Sequence, residues 1–309
     1  MLFFNKTKQS QYYNLNSNIP FYYLHIPKTA GTTFISYLDE ILSAKRMFYH
    51  QVWNHLSPAD KNLRQYNYFR GHFGYGLIRH LKTKPILATI LRKPIGRSIS
   101  MLSHIKQDPV NNNWVPLNFL DGFIDINKIF FDPEKAKVFE NTQTRYLGMD
   151  LDIPKIVSQK YHNDYKKILF DSENEFVNPK VPYSELFEKA KNNLQEFQFV
   201  GLKEYFSESL ALFAYTFNIK PFLGERFYLQ NWTKKPDITE LDLPIIKRIY
   251  QLNRYDIKLY DYAKEIFSKR YKDMLEELQK TFYHEEYSGL NETECVYFML
   301  RERFEKLNK

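Results

Sequence analysis

The chain has 309 residues with Lys+Arg 44 against Asp+Glu 36, giving a formal charge of +8; it is long enough for one large core and suited to an anionic ligand. Aromatics are abundant (Tyr 24, Phe 26), yet no KH, RRM or zinc-finger spacing accompanies the basic charge, so nucleic acid is not an expected partner. Cys295 stands alone, which excludes a disulfide framework and fits a reducing compartment.

Residues 1–18, rich in Asn, Gln and Tyr, read as an irregular lead-in. The N-terminal stretch has no continuous apolar run of the kind a signal peptide needs, and 9–27 is too polar to span a bilayer, so no transmembrane segment is expected. Phe21 to Ile26 is a compact apolar run that predicts a buried strand, stopped by Pro27. The small-residue turn Lys28-Thr29-Ala30-Gly31-Thr32-Thr33 follows, and then Phe34, Leu38, Ile41 and Leu42 recur at helical spacing. A strand, a tight turn and a helix form an anion site: turn amides and the helix N-terminus converge, Lys28 adds a full charge, and the threonine hydroxyls donate. The lysine precedes Gly31, whereas in a Walker A loop it follows the second glycine.

His50 and His55 are wrongly spaced for a shared metal on one helix face, and no cysteine or carboxylate pair joins them, so no metal is expected. Tyr66 to Phe73 predicts a short aromatic strand ending at His72, where an α/β sheet places its site; the other histidines, His25 among them, read as structural. Pro85 to Leu91 predicts a fully buried strand, with Arg92 at its C-terminal end. Pro94 suits a first helical turn, which puts Ser100 about two turns into the next helix. Gln107 to Pro133 reads as a long lid over the acceptor, with Trp114 and Phe119 either as its walls or in the core. Leu194 to Leu202 predicts a further strand and Phe206 to Phe217 a helix, with Glu204 between them lacking the second carboxylate a metal would need. From Pro244 onward the periodicity is helical, and the amphipathic stretch Cys295 to Phe304 either packs on the core or serves as a homo-oligomer contact.

Three segments carry a family resemblance. HIPKTAGTT resembles the 5′-phosphosulfate loop of sulfotransferases that use 3′-phosphoadenosine 5′-phosphosulfate (PAPS), closest to the group with the heparan and uronyl 2-O-sulfotransferases and their bacterial relatives (sulfotransferase family 2). Arg92-Lys93-Pro94-Ile95-Gly96-Arg97-Ser98-Ile99-Ser100 resembles the 3′-phosphate motif R-x-P-x-x-R-x-x-S of the same enzymes, with Lys93 where Asp is common. Arg70-Gly71-His72-Phe73 resembles the H-G-H-[VF] segment whose second histidine is the catalytic base, with Arg70 replacing the first histidine. Weaker likenesses lie in Asn141 to Leu147 and in the turn Asn231 to Pro236.

The resemblance implies sulfuryl transfer from PAPS to a hydroxyl of an acceptor, a glycan or glycolipid, without a metal. Carried over, His72 is the base and Lys28 neutralises the leaving oxygen. Lys28, Thr29, Ala30, Gly31, Thr32 and Thr33 cradle the 5′ end, and Arg92 and Ser100 hold the 3′-phosphate. Thr233 and Lys234 sit in the loop closing over the nucleotide, and Arg70 is an acceptor contact; Arg145 either binds an acidic acceptor or ties the lid to the core. Eukaryotic members of that group are membrane-anchored Golgi proteins, and the polar N-terminus points instead to a bacterial-type, cytoplasmic enzyme.

The expected fold is α/β: a P-loop-like, mostly parallel sheet flanked by helices, with a helical C-terminal region. The lead-in covers 1–18, the sulfotransferase domain 19–282 and a helical extension 283–309. Two rival functions fit parts of the pattern. A P-loop nucleotide kinase needs the Walker lysine and a Walker B acid, and PILATIL carries no acid. A non-catalytic anion- or glycan-binding protein would keep the loops without turnover.

Overall fold

A computed structural model describes residues 13–15, 18–52, 62–107, 126–150, 179–221 and 241–309. The centre is a four-stranded sheet, β1 (Phe21–Leu24), β2 (Tyr68–Gly71), β3 (Ile86–Leu91) and β4 (Phe199–Leu202), in the order β2-β1-β3-β4. All three pairings are parallel, with Tyr23 beside Arg70 and Ala88, and Leu91 beside Leu202. Every strand residue is buried, which explains the unbroken apolar runs: parallel strands are covered on both faces.

Helix α1 (Gly31–Ile41) follows β1 and α2 (Pro94–Gln107) follows β3. Part of the expected lid is helical instead, as α3 (Ile126–Phe131) and α4 (Pro133–Ala136), because Asp132 caps α4 by accepting from the amides of Glu134 and Lys135. Trp114 and Phe119 lie outside the described residues. Then come α5 (Thr142–Gly148) and α6 (Tyr183–Gln195); the latter runs into the start of the strand expected from Leu194, leaving β4 only its last four residues. Helix α7 (Phe206–Phe217) has the predicted bounds. The C-terminal region is α8 (Leu243–Leu252), α9 (Arg254–Phe282) and α10 (Glu292–Leu307).

The main core joins the sheet to α1, α6, α7 and α9 through a knot of rings, Phe34 touching Phe199 and Phe213 at centroid distances of 5.7 and 5.0 Å. Val296, Met299 and Leu300 of α10 belong to it, so the last helix packs on the core. A second cluster joins α2, α3 and α8 around Leu102, Phe130 and Ile249. Among the described residues no helix is long and apolar enough to cross a membrane.

Candidate active site

Strand β1 has β2 on one side and β3 on the other, so the β1-to-β2 and β2-to-β3 connections run in opposite directions. This is the topological switch point of an open parallel sheet, where a crevice forms beyond the carboxyl ends of the strands. The turn after β1, His72 after β2 and Arg92 after β3 all lie at that end.

The turn is tightly wound. Lys28 and Ala30 both have left-handed backbones (φ 70° and 71°), unusual for residues with a Cβ and a sign of a conformation held for function. Thr29 Oγ1 donates to the Ile26 carbonyl at 2.9 Å, which closes the turn. Thr32 and Thr33 stand at the start of α1, exposed and half-buried. That helix has no side-chain cap and no acid in its first turn, which leaves its amides and positive dipole end to an external anion.

Arg92 closes the other wall. Its Nη1 donates to the Lys28 carbonyl at 3.0 Å, joining the two halves of the crevice, while its buried Nε has no partner among the described residues. Gln143 brackets its backbone, and Glu204 accepts from the Lys93 amide at 3.0 Å and the Tyr260 hydroxyl at 2.8 Å. Burial lowers the Arg92 pKa, and Glu204 works against that shift. Ser100 is buried on α2.

His72 is set by its own backbone. Gly71 has φ +146°, and a Cβ there would lie 2.4 Å from the Gln51 carbonyl, so the strand end requires glycine. The His72 amide then donates to that same carbonyl at 2.6 Å. Its Nδ1 lies 2.7 Å from the His25 carbonyl. A carbonyl only accepts, so Nδ1 carries the proton and Nε2 keeps the lone pair that a base uses. Burial lowers the pKa to about 4, with Lys28 adding to the effect and the His25 carbonyl opposing it. The buried ring is therefore neutral across the physiological range.

Other expected site residues are engaged in the fold. Arg70 Nε meets Asp39 of α1 at 2.7 Å and is 8% exposed, tying β2 to α1. Arg145 is 3% exposed, and its Nη2 donates to the Lys137 carbonyl at 2.9 Å. Thr233 and Lys234 lie outside the described residues. Sequence reasoning overlooked Gln143, Asp256 and His25. Gln143 lies in the segment Asn141 to Leu147 that carries a weak family likeness, and Asp256 lies in a helical stretch; the sequence does not show what either bonds. His25 lies inside the anion motif and was set aside as a structural histidine.

The turn after β1 thus lies at a parallel switch point, with Arg92 on one side and the neutral His72 imidazole on the other. No family model matches the chain. Over 86 residues it is 42% identical to heparan-sulfate 6-O-sulfotransferase 1-B of Danio rerio, which covers 28% of this chain and 20% of that protein. Heparan-sulfate 6-O-sulfotransferase 1 of Homo sapiens is 42% identical over the same length and the same shares. A longer match to heparan-sulfate 6-O-sulfotransferase 2 of Gallus gallus is 29% identical over 199 residues, covering 60% of this chain and 45% of that protein. The matched parts therefore span from a fifth to under half of these relatives' lengths. Their names share the sulfotransferase class with the motif resemblance but belong to the 6-O enzymes, where the motifs pointed to the 2-O group. These animal relatives lend no support to the expectation of a bacterial, cytoplasmic enzyme.

Proposed function

We propose that the protein is a sulfotransferase that moves a sulfuryl group from PAPS to a hydroxyl of a glycan or glycolipid acceptor, with His72 as general base. The observation that carries this reading is the 2.7 Å contact between His72 Nδ1 and the His25 carbonyl. A neutral imidazole protonated at Nδ1 carries its lone pair on Nε2, and His72 follows β2 at the same end of the sheet as the turn after β1. Similarity to proteins named heparan-sulfate sulfotransferases supports the same class.

The residues present fit the nucleotide. The uncapped start of α1 suits the 5′ end, and the buried, unpartnered Nε of Arg92 suits a phosphate oxygen at the 3′ end. When bound, PAPS supplies the activated sulfuryl group. Lys28 offsets negative charge at the 5′ end, the α1 amides orient the anion, and Arg92 with Ser100 holds the 3′-phosphate. His72 Nε2 would take the acceptor's hydroxyl proton as the new oxygen–sulfur bond forms and the sulfur–oxygen bond to the 5′-phosphate breaks, 3′-phosphoadenosine 5′-phosphate leaving with that electron pair beside Lys28. Rate enhancement then rests on positioning and charge, as in phosphoryl transfer.

Incubation with radiolabelled PAPS and a panel of heparan-type oligosaccharides, glycolipids and small alcohols tests the reading. Label appearing in one acceptor class, with release of 3′-phosphoadenosine 5′-phosphate, is the expected result. Tight nucleotide binding without transfer to any acceptor would favour the non-catalytic binding protein. Transfer from ATP in its place would favour the kinase.

A further inference from the structure

His25 does more than lend its carbonyl. Its ring is buried between three partners: stacked on Tyr23 at a centroid distance of 5.6 Å, packed on His72 at 4.2 Å, and pressed against the first residue of α1. The last contact is so close that a Cβ on Gly31 would lie 1.6 Å from His25 Nε2. Its Nδ1 is buried without a partner among the described residues, a cost of about 1–3 kcal/mol that a phenylalanine would not incur. One imidazole thus touches both the anion loop and the proposed base.

We propose that His25 is a positioning residue: its ring is the wedge through which the anion loop, at Gly31, sets the orientation and dryness of the His72 imidazole. This rests on the sulfotransferase reading for what His72 does, but the mechanical link rests on the packing alone. Around the His25–His72 pair stand Tyr23 from β1, Lys28 from the loop and Arg70 from β2, and Tyr146 from α5 meets His72. Tyr146 makes an edge contact with the His72 ring at 6.2 Å. Lys28 and Arg70 both oppose protonation of His25, as does His72, so the imidazole pair stays uncharged while the loop carries the charge.

The experiment combines His25→Ala, His25→Phe, Gly31→Ala and the double variant His25→Ala/Gly31→Ala. Each is read by calorimetry with 3′-phosphoadenosine 5′-phosphate, by NMR titration of the His72 ring and by steady-state turnover of PAPS. His25→Ala is expected to lower kcat roughly 10- to 100-fold with nucleotide affinity within about threefold, and to move the His72 titration upward as water enters. His25→Phe, which refills the wedge, should restore kcat to within about fivefold and return the titration toward its low value. Gly31→Ala should weaken nucleotide binding more than about tenfold, because its Cβ must displace the ring. Adding His25→Ala makes room and should recover binding while kcat stays low.

The proposal is overturned if His25→Ala leaves both kcat and the His72 titration unchanged, or if the double variant binds nucleotide no better than Gly31→Ala alone. It is equally overturned if His25→Phe folds with parental thermal stability but fails to restore the titration. The NMR and calorimetric arms need no turnover, so they report on the wedge even if the unaltered protein transfers no sulfuryl group. That last result would count against the functional reading alone.

Discussion

Gln143 holds the backbone of Arg92 from both sides: its Oε1 accepts from the Arg92 amide at 3.0 Å and its Nε2 donates to the Arg92 carbonyl at 2.9 Å. A side chain from α5 thereby does what a neighbouring strand would do at the point where β3 runs out. Gln143→Ala removes both bonds and leaves the arginine backbone without those partners. Urea titration should show a loss of about 1–3 kcal/mol, with nucleotide affinity falling roughly fivefold or more. Unchanged stability would mean that Arg92 is held elsewhere.

Arg92 itself should decide nucleotide choice. With its Nε buried and unpartnered, a 3′-phosphate adds a charge-assisted bond worth about 1.5–3 kcal/mol. Calorimetry should find 3′-phosphoadenosine 5′-phosphate bound at least tenfold more tightly than AMP, and Arg92→Ala should abolish that preference. Equal affinities in the unaltered protein would refute the assignment.

His72→Ala should cut turnover by roughly 10²–10⁴ while nucleotide affinity stays within about threefold. Because burial holds the His72 pKa near about 4, kcat/KM should remain flat from neutral pH down to roughly pH 5, with no fall at the ordinary histidine value. An acidic limb near 6.5 would show that the reacting base is a more exposed group.

Acid should destabilise the fold over a defined window. His25 and His72 both have folded pKa values below the unfolded value of 6.5, so between 6.5 and about 4 the unfolded chain binds more protons. The stability is fully present above 6.5 and is lost as pH falls towards 4, with His72 alone contributing about 3 kcal/mol. Denaturant midpoints that do not change between pH 7.5 and 5 would contradict the buried, neutral pair.

Asp256 is fully buried on α9 and accepts from the Gln143 amide at 3.0 Å, the Thr144 amide at 2.7 Å and the Thr144 hydroxyl at 2.8 Å. It also faces the buried Arg97, whose pKa burial lowers to about 10. Asp256→Ala strips the start of α5 and leaves that arginine uncompensated, so a loss of about 3–5 kcal/mol is expected in thermal or chemical melts. Asp256→Asn should lose less, since it keeps a hydrogen-bonding carbonyl. Equal losses for the two variants would place the effect in the lost carboxylate charge, not in packing or in the retained carbonyl.

Local signals in the sequence determined a good deal. Unbroken apolar runs such as Ile86 to Leu91 mark strands covered on both faces, so a parallel α/β sheet followed from composition and spacing. The anion loop was legible because its chemistry is contiguous: the turn, the lysine and the helix start lie within a few residues of one another. Pro94 opened α2 as expected, since proline needs no amide partner in a first turn.

The tertiary structure decided how those pieces work together. Gln143, Asp256 and Glu204 reach their partners across sequence separations of 51 to 113 residues, and no local pattern encodes such a bond. The partners of Arg70 and Arg145 were likewise not legible locally: the fold brings Asp39 to the first and the Lys137 carbonyl to the second. The state of His72 also depended on the fold. A sequence names an imidazole, but its tautomer comes from the carbonyl that folding brings to Nδ1, and its low pKa comes from the water that packing removes.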